Sequence, residues 1–186
     1  MTDDIRSDAD ARMGRALEAL ERELAAIRTG RAATSLVERI SVEYYGTQTP
    51  LNQLASISVP EAHLIVIQPW DRSALGAIEK AILKSEVGLT PNVDGTVVRL
   101  AIPALTEERR KDLVKLVHKR MEEAKVEIRN HRREVADEIK KAVKDGDIGT
   151  DEERREMELL QKVTDRWTTD VDRVGKHKEQ EILEVG

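Results

Sequence analysis

The chain has 186 residues, of which 39% are hydrophobic and 36% charged, a composition typical of a folded protein with long, solvated helices. It contains no cysteine, which excludes disulfides and thiolate metal sites and fits a reducing compartment. Its start, Met1-Thr2-Asp3-Asp4, is acidic where a secretory signal is basic, and its purest apolar run, residues 64–67, is far too short to span a membrane. We therefore predict a cytoplasmic protein without a membrane segment.

The charge is unevenly distributed along the chain. The net charge is −5, yet residues 106–144 carry thirteen basic and nine acidic side chains, a net charge of +4. Exposed charges more than about 8 Å apart are largely screened in physiological salt, so a basic helix can attract phosphate within an acidic protein. A helix surface laced with salt bridges is the alternative explanation.

The first predicted element is a helix. Met13, Ala16, Leu20, Leu24 and Ile27 recur at steps of three and four residues, which places them on one face. A helix with a single apolar face needs partners to cover it. We assign residues 1–30 to a helical bundle that is completed later in the chain.

Residues 31–104 follow a different pattern, which predicts a small β/α/β domain. Ile40, Val42 and Tyr44 alternate with polar residues, as in a half-buried strand, and Gly46 marks a turn. Residues 55–59, 64–68 and 96–102 are further β-rich runs. Asp71 is placed to cap a helix, whose predicted inward residues are Leu75, Ile78, Ile82 and Leu83.

Helical periodicity returns in residues 105–186. Thr106 before two glutamates predicts a helix start, and Asp145-Gly146-Asp147 predicts a break before a third helix. Together with residues 1–30, these two helices are expected to form a three-helix bundle. With the inserted β/α/β domain, the predicted fold class is α+β. The apolar positions are Val117, Met121, Ala124, Ile128, His131, Val135, Ile139 and Ala142 in the second helix, and Met157, Leu160, Val163 or Thr164, Trp167, Val171, Val174 and Ile182 in the third.

Two short connections join the inserted domain to the bundle, which predicts two rigid bodies and a hinge. The predicted hinge residues are Thr29, Gly30 and Arg31 on one side and Pro103, Ala104 and Leu105 on the other.

Motifs for catalysis and for cofactors are missing from the sequence. The histidines at 63, 118, 131 and 177 lack metal-ligand spacing, and a calcium loop beginning at Asp145 would have Thr150 where glycine is needed. Tyr44 and Tyr45 are adjacent, so on a strand at most one faces a ligand. We predict no enzyme, no metal and no cofactor; a hydrolase that uses carboxylates of residues 32–105 is an alternative.

The sharpest candidate site is a group of arginines. Arg129, Arg132 and Arg133 lie three and four residues apart, so they share one side of the second helix. Arginine's planar fork binds phosphate in a bidentate manner and stacks on bases. Arg28 and Arg31 lie beside the predicted hinge. The alternative is that Glu122, Glu127 and Glu134 pair with these arginines on the surface.

The sequence resembles the ribosome recycling factor family over essentially its whole length. Five motifs in the family's order carry the resemblance: Ile27-Arg28-Thr29-Gly30-Arg31-Ala32, Glu43-Tyr44-Tyr45-Gly46, Pro50-Leu51-Asn52-Gln53-Leu54-Ala55, Leu105-Thr106-Glu107-Glu108-Arg109-Arg110-Lys111 and Arg129-Asn130-His131-Arg132-Arg133. The sequence departs from the family pattern at His131, usually aliphatic, and at Thr90, commonly Asn.

The resemblance implies an L-shaped arrangement of the bundle and the small domain. It implies a monomer that binds large-subunit ribosomal RNA and, with elongation factor G and GTP, separates the subunits of the post-termination ribosome. The implied RNA contacts are Arg28, Arg31, Arg129, Arg132 and Arg133, with Arg109 and Arg110 as additional candidates. A coiled-coil scaffold that grips proteins through an exposed apolar face is the rival reading.

Overall fold

The computed structural model describes residues 2–184, whose contacts form two compact units. The first unit contains residues 2–28 and 107–184, and the second contains residues 29–106. Helices build the first and antiparallel sheets dominate the second, which confirms the predicted α+β class. In this part of the chain, no helix combines the length and the apolar character needed to cross a membrane.

The helices and strands follow one another in an order that places the sheet unit between the first and second bundle helices. In chain order they are α1 (Thr2–Ala25), β1 (Ser41–Tyr44), β2 (Thr47–Pro50), β3 (Ala55–Glu61), β4 (Leu64–Pro69), α2 (Leu75–Lys84), β5 (Pro91–Asp94), β6 (Val97–Ala101), α3 (Glu107–Lys144) and α4 (Thr150–Glu184).

The first unit is a bundle in which α1, α3 and α4 pack against one another. Each helix buries one apolar stripe, as its periodicity predicts, because no single helix can shield that stripe from water. The stripe of α1 ends earlier than predicted: the helix stops at Ala25, and the Ile27 amide donates to the Leu24 carbonyl in a tighter turn. Fully buried residues of the bundle include Met13, Leu20, Val117, Ile128, Val135, Ile139, Leu160, Val171 and Ile182.

In α4, Gly175 lies in the bundle core at the turn where the apolar pattern predicts Val174. Gly175 of α4 is buried, whereas Val174 is only half-buried. Val171, Gly175 and Ile182 are separated by four and seven residues, which keeps them on one face of the helix. The missing side chain leaves room for Met121 of α3, whose side chain occupies the place that a Cβ would take.

The turn between α3 and α4 lies where the sequence predicts it. Gly146 adopts a φ of +78°, which a glycine tolerates without strain. The amides of Asp145 and Asp147 donate to carbonyls of the last turn of α3, at 2.9 Å each, and so terminate the helix.

The second unit contains a four-stranded antiparallel sheet in the order β3-β4-β6-β5 and a separate β1-β2 hairpin. Strands β2 and β5 are absent from the sequence-based prediction, because both are short and largely polar or exposed. Helix α2 contacts β1, β5 and β6 and buries Ile78 and Ile82. Leu83 is 60% exposed, so its predicted inward orientation is wrong. It follows Ile82 directly, and a rotation of about 100° turns it outward.

Candidate nucleic-acid interface

Arg129, Arg132 and Arg133, here called the arginine surface, lie on one side of α3. Their spacing of three and four residues determines this arrangement, since neighbours on a helix surface recur at those steps. Arg129 and Arg133 are exposed, and Arg132 is half-buried.

Two of these three guanidinium groups have no partner among residues 2–184. Arg129 donates to Glu122 Oε1 at 2.7 Å along the same helix. Within residues 2–184, neither Arg132 nor Arg133 makes a hydrogen bond or an ion pair. The other two glutamates offered as partners lie beside a different residue: Glu127 is 3.6 Å and Glu134 is 3.4 Å from the ring nitrogens of His131.

The arginine surface faces the α4 side of α3. Lys125 Nζ lies 2.6 Å from Asp172 Oδ1 of α4, and Arg132 follows Lys125 by seven residues, or about two turns. The α1 side of α3 is marked by Arg120, whose Nε is 3.5 Å from Glu23 Oε2. The arginine surface therefore lies away from α1, next to the groove between α3 and α4.

The remaining predicted arginines are not part of the arginine surface. Arg109 and Arg110 lie in the first turn of α3, about 30 Å along the helix from Arg129. Arg28 follows the end of α1 at the same end of the bundle, and all three residues already take part in interactions within the chain. Arg31 is exposed and belongs to the second unit.

The predicted hinge segments run side by side within the second unit. Gly30 has a φ of +73°, and a Cβ placed there would lie 3.1 Å from Leu105 Cγ and 3.5 Å from the Pro103 carbonyl oxygen. His63 Nδ1 lies 2.8 Å from the Gly30 carbonyl oxygen. From the sequence, this histidine could be described only as lacking metal-ligand spacing. Helix or strand periodicity in the sequence does not predict this contact, because the two residues are 33 positions apart.

The second unit contains a groove whose two serine hydroxyl groups form local hydrogen bonds. A groove of about 470 Å³ lies between the β1-β2 hairpin and α2. Its serines are engaged locally: Ser41 Oγ bonds to Gln48 at 2.8 Å, and Ser85 Oγ donates to the Ile82 carbonyl at 2.7 Å. Among residues 2–184, no group of three His, Asp or Glu side chains is arranged to hold a metal ion.

The adjacent tyrosines have different environments because β1 ends at Tyr44 and Tyr45 lies in the turn that follows. Tyr44 is half-buried and its hydroxyl donates to Asp71 Oδ2 at 2.7 Å, which raises the pKa of Tyr44 to about 12. The same hydrogen bond, together with bonds from Ser73, lowers the pKa of Asp71. Tyr45 is 82% exposed at the hairpin turn.

Comparisons with known proteins extend over the whole chain. The family model described as Ribosome recycling factor matches residues 20–183. Ribosome-recycling factors of Shouchella clausii, Thermomicrobium roseum and Bacillus subtilis are 57%, 55% and 55% identical to this chain, and each alignment covers 100% of both proteins.

Solved structures agree with the sequence comparisons. A solution structure of a ribosome recycling factor is 47% identical, with a TM-score of 0.73 over 99% of this chain and 98% of the other. A second similar chain comes from models of the T. thermophilus ribosome recycling factor and the E. coli elongation factor G bound to the E. coli post-termination complex; it is 44% identical, with a TM-score of 0.61 over 100% of both chains. The chain therefore belongs to the ribosome recycling factor family.

Proposed function

We propose that this protein binds large-subunit ribosomal RNA through the arginine surface and, with elongation factor G and GTP, separates the subunits of the post-termination ribosome. The observation that supports the proposal is that Arg132 and Arg133 lie on a packed bundle with no ion-pair or hydrogen-bond partner among residues 2–184. A similar factor has been placed on a post-termination complex together with elongation factor G, which supports the choice of partners.

The proposed anchor works through phosphate contacts. A guanidinium group can donate two parallel N–H bonds to one phosphate, and each phosphate neutralised releases condensed counterions. Binding should therefore weaken steeply as salt rises. The neighbouring Arg129 would contribute after exchanging Glu122 for phosphate, and Arg28, Arg31, Arg109 and Arg110 are further candidate contacts.

The second unit is proposed to move relative to the bundle when elongation factor G acts on it. The sequence predicts an RNA-binding domain of residues 1–30 and 105–186 and a moving domain of residues 31–104. We place the boundaries after residues 28 and 106, where internal contacts separate the two units, so that Gly30 and Leu105 belong to the moving domain. GTP hydrolysis belongs to the partner, so the chain itself needs no cofactor. We further propose that it acts as a monomer in the bacterial cytoplasm. Separate rotational diffusion of the two units, measured by nuclear spin relaxation, tests this motion.

The scaffold alternative finds little support on the bundle surface. It requires a continuous exposed apolar face, but the large apolar side chains exposed on the described bundle are Val126 and Leu183, at 43% and 54%. They lie on different helices and do not form a stripe.

Light scattering of post-termination ribosomes tests the proposal. We expect a fall in scattering only when this protein, a matched elongation factor G and GTP are all present. Arg132→Ala should diminish that fall, whereas Arg15→Ala, an exposed arginine on α1, should not. If ribosomes bind the protein and stay intact with all three components, subunit separation is not its function.

A further inference from the structure

The two connecting segments are fastened to one turn of the second unit. That turn, Ala62-His63, joins β3 to β4. The Ala32 amide donates to the Ala62 carbonyl at 2.7 Å, and the Ile102 amide donates to the His63 carbonyl at 2.8 Å. The turn therefore holds the incoming and outgoing segments at the same time.

The side chain of His63 adds a third tie. Its Nδ1 lies 2.8 Å from the Gly30 carbonyl oxygen, and since a carbonyl only accepts, Nδ1 carries the hydrogen. Nε2 is buried without a hydrogen-bond partner among the described residues, so Nδ1 makes the one polar contact of the ring. Gly30 in turn packs against Leu105, and this contact joins the two segments directly.

These ties make the predicted hinge shorter. Gly30 and Leu105 belong to the body of the second unit, together with Arg31, Pro103 and Ala104 between or beside the tied positions. Hydrogen bonds of α1 extend as far as the Ile27 amide, and α3 begins at Glu107. The stretches that connect these bodies are residues 28–29 and residue 106, in which Arg28 and Thr106 also take part in interactions within the chain.

We propose that His63 is a positioning residue that clamps both connecting segments to the second unit and so confines the pivot to the stretches between Ile27 and Gly30 and between Leu105 and Glu107. Its mechanical consequence rests on the proposed function. A force on the second unit then rotates it about a short pivot. A connecting segment without the clamp would deform instead, and part of the displacement would not become rotation.

Two variants separate the hydrogen bond from the volume of the side chain. His63→Leu keeps an apolar body but has no donor. His63→Asn places an amide N–H close to the position of Nδ1 and should restore the bond to Gly30. Retained chemical-shift dispersion of the β3, β4 and β6 amides shows that each variant folds.

Backbone ¹⁵N relaxation of the free protein is the first measurement. We expect rigid order parameters, about 0.85, for residues 30–32 and 102–105 in the unaltered protein and in His63→Asn. In His63→Leu, the order parameters of Gly30 and Arg31 should fall below about 0.6, whereas that of Ala32, whose amide still donates to the Ala62 carbonyl, should stay high. Mobile segments in the unaltered protein, or rigid ones in His63→Leu, would overturn the clamp.

Ribosome splitting is the second measurement, with binding as its control. His63→Leu should bind ribosomes as the unaltered protein does but split them about threefold more slowly or worse, and His63→Asn should recover the rate. Normal splitting by a loosened His63→Leu overturns the mechanical role. If the unaltered protein never splits ribosomes while the relaxation results hold, the proposed function fails and the clamp stands.

Discussion

Helix α3 carries positive charge in two stretches that the fold uses differently. In residues 118–125, here called the bridged stretch, three basic side chains each reach an acidic residue on a neighbouring helix. In the arginine surface, Arg129 reaches only its own helix, and the other two arginines have no partner in the described chain. The contacts of the bridged stretch are His118–Glu179, Arg120–Glu23 and Lys125–Asp172, at 3.2, 3.5 and 2.6 Å.

The difference shows that a run of basic residues on a helix does not by itself predict whether they pair with neighbouring helices or remain available to an external phosphate. Acidic residues on α1 and α4 neutralise the bridged stretch and join three helices. Within residues 2–184, no acidic side chain forms an ion pair with Arg132 or Arg133, which leaves both guanidinium groups for the proposed phosphate contacts. Changes in the bridged stretch should therefore alter stability and spare ribosome binding, and changes in the arginine surface should do the reverse.

The largest effect is expected from Arg132→Ala combined with Arg133→Ala. Loss of two charge-assisted contacts should lower the affinity for the large subunit by at least about 100-fold, since each such bond contributes about 1.5–3 kcal/mol. The slope of log affinity against log salt should fall by about two, one for each phosphate contact. Binding titrations at several salt concentrations measure both quantities.

The matched control is Arg15→Ala combined with Arg22→Ala, which removes the same charge from exposed positions of α1. An equal loss of affinity in the control would show that only net charge matters. A large fall in Tm in the arginine-surface variant would show that these arginines support the fold.

The next effect is expected where the bridged stretch lies closest to α4. A Cβ added at Gly175 would overlap Met121 Sδ and lie 2.7 Å from Met121 Cγ, so the methionine or the helices must shift. Overpacking costs about 1–3 kcal/mol, and alanine's better helix propensity offsets about 1 kcal/mol of it. Gly175→Ala should therefore lower Tm by a few degrees, by about 2–4 °C for each kcal/mol lost.

Met121→Ala in the same background tests this explanation, because it removes the atoms that clash. The double variant should lose less stability than the two single losses combined. Strict additivity, or a higher Tm for Gly175→Ala alone, would contradict the packing of Met121 against Gly175. Ribosome affinity should stay unchanged in both variants.

The same contrast explains which parts of the fold could be predicted. The bundle is readable because burial on a helix repeats every three to four residues, and Met13, Ile128 and Leu160 all follow that rule. The rule fails at Gly175, which an apolar pattern does not count, and at Leu83, which follows a buried neighbour but points to solvent. It also overlooks β2 and β5, whose pairing depends on backbone bonds rather than apolar side chains.

The candidate site could be predicted only in part. Spacing along α3 correctly places Arg129, Arg132 and Arg133 on one side, because that arrangement is local. Whether each is paired depends on side chains that the fold brings close from other helices. His63 shows the same limit, since its contact with Gly30 joins positions that nothing in the sequence links.

A smaller effect is expected from Arg120→Ala in the bridged stretch. The hydrogen bond and charge of Glu123, with a further contribution from Glu23, raise the pKa of the Arg120 guanidinium. Both glutamates are half-exposed, and exposed pairs contribute little, so Tm should fall slightly in low salt and hardly at all in high salt. Thermal unfolding of Arg120→Ala, Glu23→Ala and the double variant measures the coupling. A loss of ribosome affinity in Arg120→Ala would break the contrast between the two stretches.

The smallest effect concerns a partnered side chain in the second unit, Tyr44. Its pKa is raised from 10.0 to about 12 by Asp71, so its contribution to stability is complete below pH 10 and is lost as pH rises from 10 toward 12. The pKa of Asp71 is lowered, so its contribution is present above pH 3.8 and is lost as pH falls below that value. The stability of the sheet unit should therefore decline at both ends of this range.

Tyrosinate absorbance isolates the alkaline half of this prediction. In Tyr45→Phe, Tyr44 is the remaining tyrosine, and its transition should be centred near pH 12. Adding Asp71→Asn removes the carboxylate that disfavours a neighbouring phenolate, so the transition should move down toward pH 10. An unchanged transition would mean that burial, and not hydrogen bonding to Asp71, raises the pKa of Tyr44. The distinction between partnered and unpartnered side chains would then hold for the helices but not for the sheet unit.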